Sequence, residues 1–342
     1  MNTSDEDHLK SPNKTNLTTE SAVVDLFAQK TIQLTIYGVI FLLSMAGNGA
    51  MLAVLFKGCR LRSYKNILLL NMIVAESAVT MTSIPFDFVL LLLDEGWMFG
   101  SLMCHVLWPL QTAPFGALVL TLTAMSIQRY RGIVHHLRKK KPSCESSRMT
   151  VLSIWVFSFV IVIPYGVFLR FVDGECTETW GTIGSDVYTV SLFVSHYAVP
   201  LTVITFCYVR IAFRIRRGKL EGDSIVTGTR QARLKRSRRH VRAVRMVVLF
   251  VAVFAVCMLP HQVVWLWITF GKDVTYSDSL LTFAYMFTFT SSFANPLLYF
   301  THNPSLRARL FTLVSCRSGA GGRSVKSHSI LGSDETTADS RV

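Results

Sequence analysis

The feature that most limits what this chain can fold into is a set of seven long apolar runs separated by polar stretches. They span approximately Thr31–Lys57, Asn66–Leu93, Ser101–His135, Met149–Leu169, Tyr188–Arg214, Val241–Phe270 and Asp278–Thr301. About 20 apolar residues cross a hydrocarbon core of roughly 30 Å, and no water-soluble fold needs seven such segments. In lipid each backbone amide must find its partner within its own segment, so every run is expected to be a helix. The composition agrees, with 51% hydrophobic and only 16% charged residues. The third and seventh runs are the least evenly apolar and are expected to lie inside the bundle. Seven crossings put the two chain ends on opposite sides of the membrane.

Charge then orients the bundle. The net charge of +14 would suggest nucleic acid on a soluble chain. Here, however, thirty of the 35 Lys and Arg residues flank the runs on one side and five on the other. By the positive-inside rule the N-terminus is expected outside and the C-terminus in the cytoplasm. Nucleic acid is thereby excluded as the reason for the charge. Fourteen acidic residues fall on the outer side, giving it a charge near −9. Such a field favours a cationic ligand.

Residues 1–30 are expected to form an extracellular tail, 31–303 the bundle, 304–316 a short amphipathic helix and 317–342 a disordered cytoplasmic tail. No apolar run precedes residue 31, so no cleavable signal peptide is visible and the first helix is expected to direct its own insertion. The N-terminal tail carries N-x-[ST] sequons at Asn2, Asn13 and Asn16. Of seven cysteines, only Cys104 and Cys176 face an oxidising compartment in this topology, so one disulfide is expected between them. It would pin the second outer loop across the mouth of the bundle.

Polar residues inside lipid are costly and concentrate where function needs them. They recur along these runs as Asn48, Glu76, Trp155, Ser291 and Asn295. Proline recurs too, at Pro85, Pro109, Pro114, Pro164, Pro200, Pro260 and Pro296, each removing a helix hydrogen bond where a hinge can form. Gln128-Arg129-Tyr130 lies 25 residues after Cys104, about 37 Å along a helix, so the third run joins an outer tether to an inner charge. On its own, Arg129 also fits a plain interfacial anchor.

Taken together, and in this order along residues 30 to 316, these residues resemble the rhodopsin-like family of G protein-coupled receptors. Asn48, Glu76, Arg129, Trp155, Pro200 with Tyr208, Phe254-x-x-Cys257-x-x-Pro260 and Asn295-Pro296-x-x-Tyr299 match its motifs helix by helix. The resemblance implies an all-α seven-helix bundle that passes an extracellular signal to a heterotrimeric G protein, with no cofactor and no enzymatic activity. It implies that Gln128, Arg129, Tyr130, Tyr208, His240, Phe254, Met258, Pro260, Asn295, Pro296 and Tyr299 form the activation switch. Cys316 is implied as a palmitoylation site. Trp97-Met98-Phe99-Gly100, the stretch from Leu122 to Tyr130 and that from Leu259 to Trp267 are similar to neuropeptide receptors, and Ile133-Val134-His135-His136 with the Trp267 end of the sixth helix are most similar to galanin-type receptors. Gi/o coupling follows from that likeness, with Gq next.

Two other branches are excluded on residues: Gln111 stands where amine receptors place Asp, and the seventh run has no Lys to carry retinal. The ligand is expected among the outer halves of the helices, at Asp87, Trp108, Gln111, Phe115, His196, His261, Gln262, Trp265 and Tyr285. Gln111 would serve a peptide backbone or amidated terminus, or else bond internally to His261 or Tyr285.

Four departures from the family pattern carry consequences. Gln128 replaces the acid before Arg129, and His240 stands where the sixth helix often supplies an acidic lock partner, with Arg238, Arg239 and Arg242 around it. Raised ligand-free signalling is expected. Glu76 replaces an Asp and Leu118 a hydroxyl at the family's sodium site, so sodium sensitivity is expected to be weak. Met258 replaces the toggle Trp, and His136 the usual Pro of the second inner loop. Seven Ser and Thr residues between Ser324 and Ser340 suit receptor kinases and arrestin, and Ser340-Arg341-Val342 suits a PDZ domain. A transporter would show an inverted repeat or paired intramembrane charges, and neither is present. A ligand-less, constitutively active scaffold is the closer rival.

Overall fold

The computed structural model describes residues 14–58, 64–93, 97–134, 143–220, 230–271, 278–302 and 307–312. The side chains of residues 14–25, 58, 64–65, 216–220, 230–244, 246–247 and 278–279 lie outside that description. Helices α1 (Lys14–Gly58), α2 (Tyr64–Leu93), α3 (Gly100–Val134) and α4 (Cys144–Phe168) lead to a hairpin of β1 (Leu169–Val172) and β2 (Glu175–Glu178). There follow α5 (Thr182–Phe193), a π-helical turn (Val194–Ala198), α6 (Val199–Leu220), α7 (Arg230–Phe270) and α8 (Asp278–His302). The segment from α5 through the π turn to α6 is one continuous rod, so seven rods match the seven runs.

Six of the seven rods are long and apolar enough to span a membrane on length and composition alone. The seventh, α8, spends its length on Thr288, Ser291, Ser292 and Asn295, which it buries against the bundle. It packs on α1, α2 and α7, while α3 packs on α2, α4, α6, α7 and β1. The two least apolar runs are thus inside, as their composition requires. The intervening core is Met51, Leu55, Leu68, Met72, Leu118, Leu122 and Phe250.

Local chemistry explains the boundaries. Pro12 precedes α1, and neither Gly nor Pro interrupts the chain from Lys14 to Tyr37, so the helix begins at Lys14 rather than at residue 31. The tail expected over residues 1–30 is therefore helical from Lys14; Asn16 sits in that helix, and Asn2 and Asn13 lie outside the described residues. Ser143 caps α4 by accepting from the Ser146 amide at 3.1 Å. At the hairpin tip Asp173 and Gly174 both take positive φ, 51° and 85°. That is the conformation a two-residue turn needs to match the twist of its strands.

Cys104 and Cys176 are joined, with Cα atoms 5.5 Å apart, which fastens β2 to the first turns of α3. Trp97 donates its backbone amide to the Gly174 carbonyl at 3.1 Å and packs with Leu107 and Leu169 under the hairpin. The amphipathic helix expected over 304–316 is described only at residues 307–312, which are helical. Cys316, the inner loop around His136 and the C-terminal residues through Val342 lie outside the described residues.

Candidate functional site

At the hairpin end, α2, α3, α4, β2, the α5 rod, α7 and α8 enclose a cavity of about 200 Å³. All nine residues expected there line it: Asp87, Trp108, Gln111, Phe115, His196, His261, Gln262, Trp265 and Tyr285. Met258 lies among the lining residues and is almost wholly buried. Sequence reasoning missed Tyr165, Glu178 and Tyr188. Glu178 lies two residues after Cys176, and the disulfide that pins Cys176 brings it to the cavity; that spacing was the available signal.

One internal pairing differs from expectation. The Gln111 amide donates to the Thr82 carbonyl at 3.0 Å and its side chain lies beside Asp87, rather than bonding to His261 or Tyr285. A buried amide takes the acceptors nearest to it, and α2 presents both of these beside α3. His261 instead packs on Tyr285, with ring centroids 5.1 Å apart, and on Trp265.

His196 owes its position to backbone chemistry that residue types alone do not announce. Pro200 has no N–H for the His196 carbonyl, and its ring crowds that carbonyl. The helix answers by widening: Val199 donates to the Val194 carbonyl, five residues back. His196 is held there by Ser195 Oγ, 2.8 Å from Nδ1, and by a stack on Phe115. Phe115 in turn stacks on Phe254 of α7, at 6.0 Å. Only glycine fits at position 116, because an added Cβ would meet His196 Nε2 at 2.4 Å.

Below the cavity a polar chain crosses the bundle. Asn295 Nδ2 donates to Glu76 Oε1, Asn48 Nδ2 donates to the Ser292 carbonyl and to Ser44 Oγ, and Ser44 meets Thr80 at 2.8 Å. Ser291 is buried and donates to the Thr288 carbonyl. Glu76 Oε2 and Asn295 Oδ1 are buried with no partner among the described residues. A second link was not anticipated: Trp155 Nε1 donates to Asn71 Oδ1 at 2.9 Å, and Asn71 Nδ2 donates to Thr121 Oγ1 at 2.7 Å. Asn71 was visible as a lone amide in an apolar run.

At the far end of α3, Arg129 pairs with no carboxylate among the described residues, and its Nε is buried without a partner. Gln128 and Tyr130 flank it, Tyr130 packing on Phe206 at 6.0 Å. Tyr208 lies beside Ser126, one turn above, and Tyr299 stacks on Phe250 at 5.7 Å. Pro260 and Pro296 lie inside α7 and α8. His240, Arg238, Arg239 and Arg242 are on the α7 backbone, with side chains outside the described residues.

The sequence pattern of the rhodopsin family of 7 transmembrane receptors matches residues 47–299. The chain belongs to that family. Among curated relatives, the QRFP-like peptide receptor of Branchiostoma floridae is 29% identical over 84% of this chain and 78% of its own length. Galanin receptor type 1 of Rattus norvegicus is 28% identical over 84% and 83%. Neuropeptide FF receptor 1 of Rattus norvegicus is 30% identical over 79% and 67%. This rhodopsin-family receptor is therefore a multi-pass membrane protein most similar to peptide receptors, galanin-type ones included. Leu118 and Met258, both almost wholly buried, lie in the bundle core, and Met258 also lines the cavity.

Proposed function

We propose that this receptor binds an extracellular peptide in the hairpin-end cavity and activates a heterotrimeric G protein at the Arg129 end. The observation that carries the reading is the pairing of two sites on one helix. The nine expected cavity residues converge at the hairpin end of α3, where the disulfide ties that end to β2. Its opposite end presents Arg129 without a carboxylate among the described residues. Relatives named for peptides support the ligand class.

In this reading the hairpin end and the N-terminus are extracellular, as the distribution of Lys and Arg favours. Gi/o is the first coupling partner and Gq the second. Arg129, Tyr208 and Tyr299 meet or gate the G protein, and His196, Phe115 and Phe254 carry cavity contacts to α7. Basal activity is high because Gln128 stands beside Arg129 and no acid among the described residues restrains it. Asn2, Asn13 and Asn16 carry glycans, Cys316 a palmitoyl group, and the C-terminal tail recruits receptor kinases, arrestin and, through Ser340-Arg341-Val342, a PDZ protein. Deleting Val342 should abolish capture by PDZ domains; unchanged capture refutes that last assignment.

The test is a panel of synthetic amidated neuropeptides applied to cells expressing the full chain, with activation of each Gα class recorded. Saturable, concentration-dependent activation of at least one class is expected. Surface-expressed receptor that responds to no peptide and activates no Gα would overturn the proposal and leave the scaffold reading.

A further inference from the structure

The cavity carries an uneven charge. Two carboxylates line it, Asp87 from α2 and Glu178 from β2, and neither Lys nor Arg is among its lining residues. The two acids are held differently. Glu178 is surrounded by donors: Tyr165 Oη on Oε1 at 2.9 Å, and Trp180 Nε1 at 2.6 Å and Ser185 Oγ at 3.1 Å on Oε2. It works as a tie that fastens the hairpin to α4 and α5.

Asp87 has neutral company. Beside it lies the Gln111 side chain, which donates to the Thr82 carbonyl, and the nearby phenol of Tyr37 is buried. An amide fills part of a carboxylate's lone-pair capacity and supplies no opposite charge. Charge in a poorly solvated site is stable when a counter-charge meets it. The two imidazoles that line the cavity are engaged elsewhere, His196 with Ser195 and Phe115, His261 with Tyr285 and Trp265. Among the described residues no ion pair joins either to Asp87. The walls beside Asp87 include Trp108, Phe115 and Tyr285, whose ring faces attract cations. The cavity's 200 Å³ is below the roughly 300–1,000 Å³ that holds a drug-sized molecule, so it admits the end of a peptide and not its whole length.

We infer that the cavity takes a cationic group of the ligand, a guanidinium or an ammonium, with Asp87 as its counter-ion. Gln111 is then a positioning residue that orients the Asp87 carboxylate. The inference rests on the peptide-receptor reading above and adds the chemistry of the part that enters.

The test uses fluorophore-labelled pools of amidated hexapeptides with one position fixed as Arg, Lys, citrulline or Glu, bound to cells expressing the full chain. Citrulline keeps the shape of Arg and removes its charge. At one position the Arg pool should bind about tenfold or more tightly than the citrulline pool, the worth of one charge-assisted contact. In Asp87→Asn that ratio should fall to about one, and in Asp87→Glu most of it should return. Because the ratio is read within each variant, poor folding lowers both pools and leaves it unchanged. Equal binding of Arg and citrulline pools, a preference for Glu, or a ratio indifferent to Asp87→Asn overturns the cation site alone. Binding of no pool above mock-transfected cells overturns the peptide reading and the cation site together.

Discussion

Replacing Gly116 by Ala adds a single methyl where three elements meet. The new Cβ would stand 2.4 Å from His196 Nε2, 2.9 Å from Cδ2 and 3.2 Å from Ser158 Oγ. Non-bonded atoms settle at about 3.5–4.0 Å, so the imidazole must retreat by roughly 1 Å. It has little room to do so, with Phe115 stacked on its face and Ser195 holding Nδ1. Overpacking of this kind costs about 1–3 kcal/mol. In a chain of 342 residues that corresponds to a fall in unfolding temperature of roughly 1–2 °C per kcal/mol. The assay is the unfolding temperature of detergent-solubilised receptor for Gly116→Ala, His196→Ala and the pair. The methyl should be costly beside histidine and nearly harmless once the ring is gone. If Gly116→Ala is neutral, or equally destabilising with and without His196, the packing argument is wrong.

Other consequences follow from the same contacts. Trp155→Phe keeps the ring but removes the donor to buried Asn71, and should destabilise the solubilised receptor by about 1–3 kcal/mol; an unchanged unfolding temperature refutes the role of that link. Cys104→Ser opens a crosslink between residues 72 apart in sequence, worth roughly 4 kcal/mol by chain entropy, and should sharply reduce surface receptor; wild-type surface levels and stability would count against it. Sodium should shift peptide affinity by less than about threefold, because Leu118 offers no oxygen beside Glu76. A larger shift that disappears in Glu76→Ala would contradict that expectation.

Much of the bundle was legible because lipid imposes so few solutions. The apolar runs located every rod. The nine residues that line the cavity were reachable through the family resemblance, which places a ligand among the outer halves of the helices. What escaped was set by tertiary neighbours or backbone groups. The partner of Gln111 is a main-chain carbonyl of α2, which residue types cannot reveal. The π turn that aims His196 inward is hinted at only by Pro200. The notch at Gly116 exists only because His196 and Ser158 meet there from two other rods. The Asp173-Gly174 pair, by contrast, is a standard turn signal whose consequence for Glu178 was open to inspection.

The central claim is that Arg129, which pairs with no carboxylate among the described residues, leaves the receptor poised to signal through the far end of α3. Ligand-free activation of a Gα panel, at matched surface expression, tests it most directly in wild type, Gln128→Asp and Arg129→Ala. A restored contact worth only ~1.4 kcal/mol shifts a two-state ratio tenfold. Wild type should therefore signal above mock-transfected cells, Gln128→Asp should quiet it several-fold, and Arg129→Ala should abolish it. Wild-type signalling no higher than mock, or basal activity indifferent to both substitutions, would contradict the account.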